Sequence, residues 1–448
     1  MMQEQNDSKD ALDTGALDPE APTTSSDMDA LDTDALGPND ANAPATQAAT
    51  PKRASRAKKI VLWVIGIIVG LIVVVLVGFN IYMRATYSAF YADTTEEFEI
   101  PGIHAGFICQ DLDYYDEADC WFFSGYASGD GSSPLYRRNA DGSSVKFFAQ
   151  LPDGSPYTGH GSGITTSSEY AFLTCDSGYL VFHAADLANV ESGDVVTAID
   201  QVDLELTPAF MNIENGTLYV GTFHLLPNYP APEHHHLITP DESENAGMMF
   251  AYPADSAGRY GFASQASAAY SLPDKVQGMS VLPNGDIVLS TSYGFSTSHL
   301  LTYRITTVAT TVGMPEDEAV TAIGAEASSL TESTATTAPV SGDEATAAVD
   351  AEATDSAQRT LSFDAFANST AISPYTFFVD GRSVPLYFLD STNLVSDIEA
   401  PPMTEGIEFH DGRVWVSEES ASNKYIFGKL YGAGDVFSIP SSLFAAEQ

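Results

Sequence analysis

Basic residues are scarce. Eighteen Lys and Arg stand against 61 Asp and Glu in 448 residues, a formal charge of −43, and a chain so acidic is repelled by a phosphate backbone, which argues against nucleic acid as a partner. Residues 1–50 hold eleven acids, one lysine and no aromatic side chain. Such a segment cannot bury enough apolar area to offset the entropy of ordering it, and a disordered acidic tail is expected. The near-repeat of Asp10–Pro19 at Asp29–Pro38 reads as low-complexity duplication. Beyond Arg84 no sustained helical periodicity is found. Also missing are a G-x-S-x-G elbow, a phosphate-binding loop and a helix with paired histidines, the usual marks of several hydrolase and nucleotide-binding classes. Only three cysteines occur. If the hairpin around Tyr114-Tyr115 turns there, Cys109 and Cys120 face each other as a cross-strand disulfide, leaving Cys175 free.

Ile60–Phe79 is an uncharged run of twenty residues, long enough at about 1.5 Å per residue to cross a hydrocarbon core about 30 Å thick. Lys52, Arg53, Arg56, Lys58 and Lys59 precede it and only Arg84 follows closely. That asymmetry predicts a retained single-pass anchor over 60–83 behind a basic segment at 51–59, with residues 1–50 cytoplasmic and a domain at 95–440 extracytoplasmic.

That domain reads as all-β. Five related phrases begin at Gly106, Gly163, Ala209, Gly278 and Gly406, each an alternating strand, a turn and a second strand; three of the turns carry Asn215-Gly216, Asn284-Gly285 and Asp411-Gly412. Asn-Gly and Asp-Gly supply the φ > 0 positions of a tight hairpin. A third strand follows in most units, as at Ser133–Asn139, Gly178–Ala184, Met248–Ala254 and His299–Ile305. Repeats of about four short strands predict a β-propeller, with five blades preferred and six as the alternative. The uneven spacing has visible causes: a Pro/His/acid-rich loop at Pro227–Asn245, and a run at 313–358 without aromatic or basic residues, expected to be a disordered insertion. Tyr375–Asp390 is assigned either to the outer part of the fourth blade or to a sixth. Glu96–Pro101 and Asp435–Pro440 are the candidates for closing the ring.

The phrases around His160-Gly161-Ser162-Gly163, Gln277-Gly278-Met279 and Pro402–Gly406 resemble secreted bacterial propellers of unassigned activity and, more distantly, the calcium-dependent lactonase and strictosidine-synthase-like propellers. The second resemblance implies a channel-bound metal held by a Glu before a first-strand Gly, an Asn in another blade and an Asp. Glu405 matches the Glu, whereas Gln277 stands where an Asn is wanted.

In a propeller, the starts of the first strands and the ends of the second strands crowd one channel mouth. That rule selects His104, His160, Ser162, Gln277 and Glu405, and then Tyr126, Asp176, His224, Tyr293, Glu418 and Glu419. Such residues can orient a polar ligand, and Glu405 with Asp176 or Glu418 offers oxygen ligands to Ca²⁺. Their ordinary role is to satisfy backbone groups at blade ends. His234-His235-His236, with Glu233 or His224, is a zinc candidate in a loop more simply read as solvated. Two functions compete: an anchored extracytoplasmic module that binds an envelope component, glycan or protein, and a metal-dependent lactonase or esterase. A glycosidase ranks low, because the starting positions offer Glu405 alone among the carboxylates.

Overall fold

A computed structural model describes residues 53–129, 131–305, 373–425 and 433–445. The tail at 1–50 and the insertion at 313–358 lie outside the described residues. The chain divides into two units, Met1–Trp63 and Val64–Gln448. In the first, the described residues belong to the start of a helix that runs from Arg53 to Thr86. The part of this helix long and apolar enough to cross a membrane is Lys58–Thr86, longer at both ends than the expected span.

The second unit is a five-bladed β-propeller. The inner strands Phe107–Tyr115, Ile164–Thr166, Phe210–Glu214, Val276–Val281 and Thr404–His410 each touch the next, and the last touches the first. Alternation of apolar and polar residues puts Phe, Leu, Ile and Val between the blades, where the core lies in five clusters. Two of the three marked hairpin turns work as the sequence implies, whereas at Asn284-Gly285 only the glycine is left-handed, at φ 86°, and the loop is wider, with Leu282 N bonded to Asp286 O. Asn215 and Gly216 have φ of 49° and 74°, and Asp411 and Gly412 have 48° and 74°, the paired positive values of a tight hairpin turn.

The ring closes on the two candidate segments together. Thr95–Glu99 pairs antiparallel with Asp435–Pro440, so blade five is built from both ends of the domain. One assignment needs correction. Tyr375–Val379 and Arg382–Phe388 form a hairpin that joins neither blade four nor a sixth blade. The second of these strands runs parallel to Ala268–Leu272 and extends blade three, while the outer strand of blade four is Leu394–Ala400.

The expected Cys109–Cys120 disulfide does not form. The hairpin turns at Asp116–Ala118, later than assumed, so Cys120 faces Tyr115 and Cys109 faces Gly125 near the other end of the ladder. All three cysteines are free. Denatured without reductant, the chain should therefore release three titratable thiols; a count of one would restore the disulfide.

The end of the helix is part of the propeller. Phe79, Met83, Tyr87 and Phe90 recur at helical spacing and pack with Leu282, Val288, Leu300, Val416 and Phe437 between blades four and five. The Phe90 and Phe437 rings meet edge to face at 5.4 Å.

Candidate functional site at the channel mouth

Inner strands are sheet edges, and an edge exposes backbone N–H and C=O groups that need partners. Here the partners are side chains of the neighbouring blade. Asp111 Oδ2 accepts from Ile164 N at 2.8 Å, and Thr165 Oγ1 accepts from Ile213 N at 3.0 Å. Asp113 Oδ2 accepts from the Thr166 hydroxyl at 2.6 Å, and Glu214 Oε1 from the Ser280 hydroxyl at 2.6 Å. Asn212 Nδ2 donates to Met279 O at 3.0 Å and to Glu408 Oε2 at 2.9 Å. These bonds stitch successive blades together along the axis, except that Asn212 to Glu408 reaches from blade three to blade five. The strands approach so closely that a Cβ on Gly406 would lie 1.8 Å from Asp111 Oδ1, and one on Gly278 2.9 Å from Gly406 Cα.

The buried acids were missed by reasoning from strand ends, because they stand inside the first strands. A signal was present in four of the five phrases, where a polar side chain follows two or three residues after the opening small residue, namely Thr165, Asn212, Ser280 and Glu408; Asp111 stands farther along its longer strand. Burial pushes Asp113 and Glu214 up to about 7, and Asp111 and Glu408 well above the usual carboxylate range.

Towards the mouth lies a second group. Glu405, Glu418 and Glu419 are all buried. Gln110 Nε2 donates to Glu419 Oε2 at 2.8 Å, the Tyr425 hydroxyl donates to Glu419 Oε1 at 2.9 Å, and the Thr404 hydroxyl donates to Glu418 Oε1 at 2.9 Å. Glu418 Oε2 is buried with no hydrogen-bond partner. Burial first, then the charges of Glu419 and Glu418, hold Glu405 protonated far above its ordinary range. Glu419 sits at about 7, raised by burial and restrained by Tyr425, Lys424 and Gln110. A protonated acid beside an acid poised near neutrality can exchange a proton with a bound hydroxyl. The His160 ring meets Tyr126 at a tilt of 32° with centroids 4.1 Å apart, and Lys424 Nζ donates to the Tyr126 hydroxyl.

The other mouth residues are dispersed. His104 is exposed, in a short turn facing Glu99 at 3.8 Å. Ser162 meets the Thr174 hydroxyl at 3.2 Å, and Gln277 is half-buried at the start of its strand. His224 is buried and accepts from Ala231 N through Nδ1 at 2.9 Å. Tyr293 is exposed, 3.5 Å from Asn228 Nδ2. Of the histidine run, His236 pairs with Glu244 at 2.7 Å and His235 is buried against Phe250 and Phe377.

The calcium site implied by resemblance finds a poor fit. Asp176 is exposed on the turn after the second strand of blade two, where its charge acts on His160, while Glu405 is buried with Glu419 and Glu418. Among the described residues no group of three or more His, Cys, Asp or Glu side chains has a metal-binding arrangement.

No family model and no curated protein matches the chain. Solved structures do. A luciferin-regenerating enzyme aligns with 78% of this chain and 96% of its own at 9% identity and a TM-score of 0.35. The PQQ-bound aldose sugar dehydrogenase of Streptomyces coelicolor aligns with 78% of this chain and 98% of its own at 12% identity and a TM-score of 0.36. The extracellular domain of a putative one-component system from B. thetaiotaomicron matches over 47% of this chain at 12% identity and a TM-score of 0.20.

Proposed function

We propose that the chain is a membrane-anchored extracytoplasmic propeller that binds a hydroxyl-rich envelope component, a glycan, at its channel mouth. The observation that carries this reading is the pairing of aromatic faces at Tyr126, His160 and Tyr425 with the acceptor oxygens of Glu419, backed by Gln110. Apolar sugar faces stack on such rings and hydroxyls donate to such carboxylates. The apolar Lys58–Thr86 helix, which runs into the packed end of the propeller, supports anchoring.

The full chain in lipid nanodiscs, applied to an array of envelope glycans, is the direct test. Binding that falls at least about tenfold in Tyr126→Ala and in Glu419→Gln, a loss of about 1.4 kcal/mol or more, supports the reading. Unchanged binding in both variants moves the site elsewhere. Melts with chelator and then with Ca²⁺ address the metal-dependent lactonase or esterase. A ligand at about 100 times its Kd adds roughly 2.7 kcal/mol of stability, so a Ca²⁺-dependent rise in Tm that Glu405→Gln removes would favour the hydrolase.

A further inference from the structure

One basic side chain of the propeller stands apart from the rest. Among the described residues from Arg84 onward, Arg84, Arg259 and Arg304 pair with Glu96, Asp200 and Asp286. Arg137, Arg382 and Arg413 donate to backbone carbonyls. Arg138 and Lys146 lie over the Phe98 and Phe148 rings, and Lys424 donates to the Tyr126 hydroxyl. Lys275 Nζ alone has no hydrogen-bond, ion-pair or ring partner among the described residues. In a chain of formal charge −43, an ammonium with no carboxylate beside it is the exception.

The lysine is also held in place. Its φ of 66° is left-handed, which costs a residue with a Cβ on the order of 1 kcal/mol. The backbone is clamped on both sides, with Lys275 N donating to His224 O at 3.1 Å and Lys275 O accepting from Ser292 N at 3.0 Å. Glycine or asparagine takes this conformation more readily, so the turn by itself does not account for a lysine.

Lys275 lines a groove of about 460 Å³ at the rim between blades three and four, together with Asp274, Ser292, Tyr293, His299 and Leu301. Sites for small ligands span about 300–1,000 Å³. Ser292, bonded through its backbone to Lys275, is buried and ends a short relay: Thr404 N donates to Ser298 Oγ at 3.3 Å, and Ser298 Oγ donates to Ser292 Oγ at 3.0 Å. The Ser292 hydroxyl proton then has no acceptor among the described residues. His299 Nδ1 is bonded to Asp397 at 2.8 Å, which fixes the ring and leaves Nε2 open.

Two neighbouring donors without acceptors, one of them charged, suit an oxyanion. Asp274 on the same groove decides which kind. It repels a doubly charged phosphate monoester, whereas a single carboxylate is balanced by Lys275 and leaves Asp274 and His299 Nε2 to accept from nearby hydroxyls. The exposed Tyr293 ring and Leu301 offer apolar contact to the face of a sugar.

We propose that this groove is a second ligand site, one that takes an acidic sugar of the uronate type, with its carboxylate on Lys275 Nζ and the Ser292 hydroxyl and its ring hydroxyls towards Asp274 and His299. The groove shares no lining residue with the Glu419 group at the channel mouth, and the proposal stands or falls apart from the reading of that group.

Saturation-transfer NMR on the full chain in lipid nanodiscs, titrated at fixed ionic strength with sodium glucuronate, glucose and glucose 6-phosphate, is the test. Glucuronate should bind, with glucose at least about tenfold weaker and glucose 6-phosphate no tighter than glucuronate. Lys275→Gln should weaken glucuronate binding at least about tenfold, and Lys275→Arg should retain most of it. Lys146→Gln, which removes the same charge from blade one, should leave it unchanged, and melting curves establish that each variant is folded. Ser292→Ala, expected to weaken binding about threefold or more, reads the same site without touching the strained turn. No glucuronate signal from the parent, or a signal matched by glucose, overturns the proposal. Binding that survives both Lys275→Gln and Ser292→Ala places the sugar elsewhere and overturns it as well. An equal loss in Lys146→Gln would make the effect one of net charge, and tighter binding of glucose 6-phosphate would reject the carboxylate.

Discussion

Raising the pH from about 5 to about 8 should lower the stability of the propeller by several kcal/mol. Asp113, Glu214 and Glu419 sit at about 7 in the folded chain, raised by burial, whereas in an unfolded chain such carboxyls titrate near 3.9 to 4.3. The folded state therefore holds protons that the unfolded state has released. For a raised pKa the stabilisation is complete below the unfolded value and is lost as the pH climbs through the folded one. Each carboxyl contributes on the order of 3 kcal/mol, and their mutual coupling keeps the total below the simple sum.

Carboxyls of ordinary pKa are already charged at pH 5, so a loss of stability between pH 5 and 8 points to the buried acids and not to general repulsion. Urea unfolding across the range is the measurement, and a flat or rising curve would sink the idea. Glu408→Gln, which preserves an acceptor for Asn212 while removing one charge from the cluster, should make the curve shallower.

Gly406→Ala should cost about 3 kcal/mol or more. The new Cβ cannot coexist with Asp111 Oδ1 at 1.8 Å, so either the inner strand of blade five shifts or Asp111 moves off Ile164 N. Overpacking of this kind costs about 1–3 kcal/mol, and a buried N–H left without its acceptor adds about 1–3 kcal/mol. Gly131→Ala, where the added carbon meets nothing within 4 Å, is the control and should stay within about 0.5 kcal/mol of the parent. Equal melting temperatures for the two variants would mean that the axis is looser than its geometry implies.

The same closeness explains what the sequence made legible. Small residues open the five phrases because first strands crowd one another at the axis, as the space at Gly278 and Gly406 shows. Asn215-Gly216 and Asp411-Gly412 are visible because their backbone angles demand those residues. Strand identity is harder. Asp380-Gly381 marks the Tyr375–Phe388 hairpin plainly, yet nothing local says that its second strand runs parallel to blade three, since pairing across sequence depends on where a long connection returns.

The mouth shows the same division. Glu418 and Glu419 stand where the strand-end rule put them, but Gln110, Thr404, Tyr425 and Lys424, which hold the group together, come from a bulged strand and a loop that the rule does not reach. His104 and Asp176 obey the rule in sequence, and their turns carry them out to solvent.

Closure of blade five also sets a timetable for biosynthesis. The strand Thr95–Glu99 leaves the ribosome just behind the apolar helix, and its partner Asp435–Pro440 follows only after the other four blades have been made. Until then blade five has no outer pair, and Phe90 has no Phe437 to pack against. Translation that stops short of Asp435 yields a chain with its helix complete and its ring open at a hydrogen-bonding edge, the kind of surface that aggregates and that proteases find. Emergence of Asp435–Pro440 is thus the event that closes the ring.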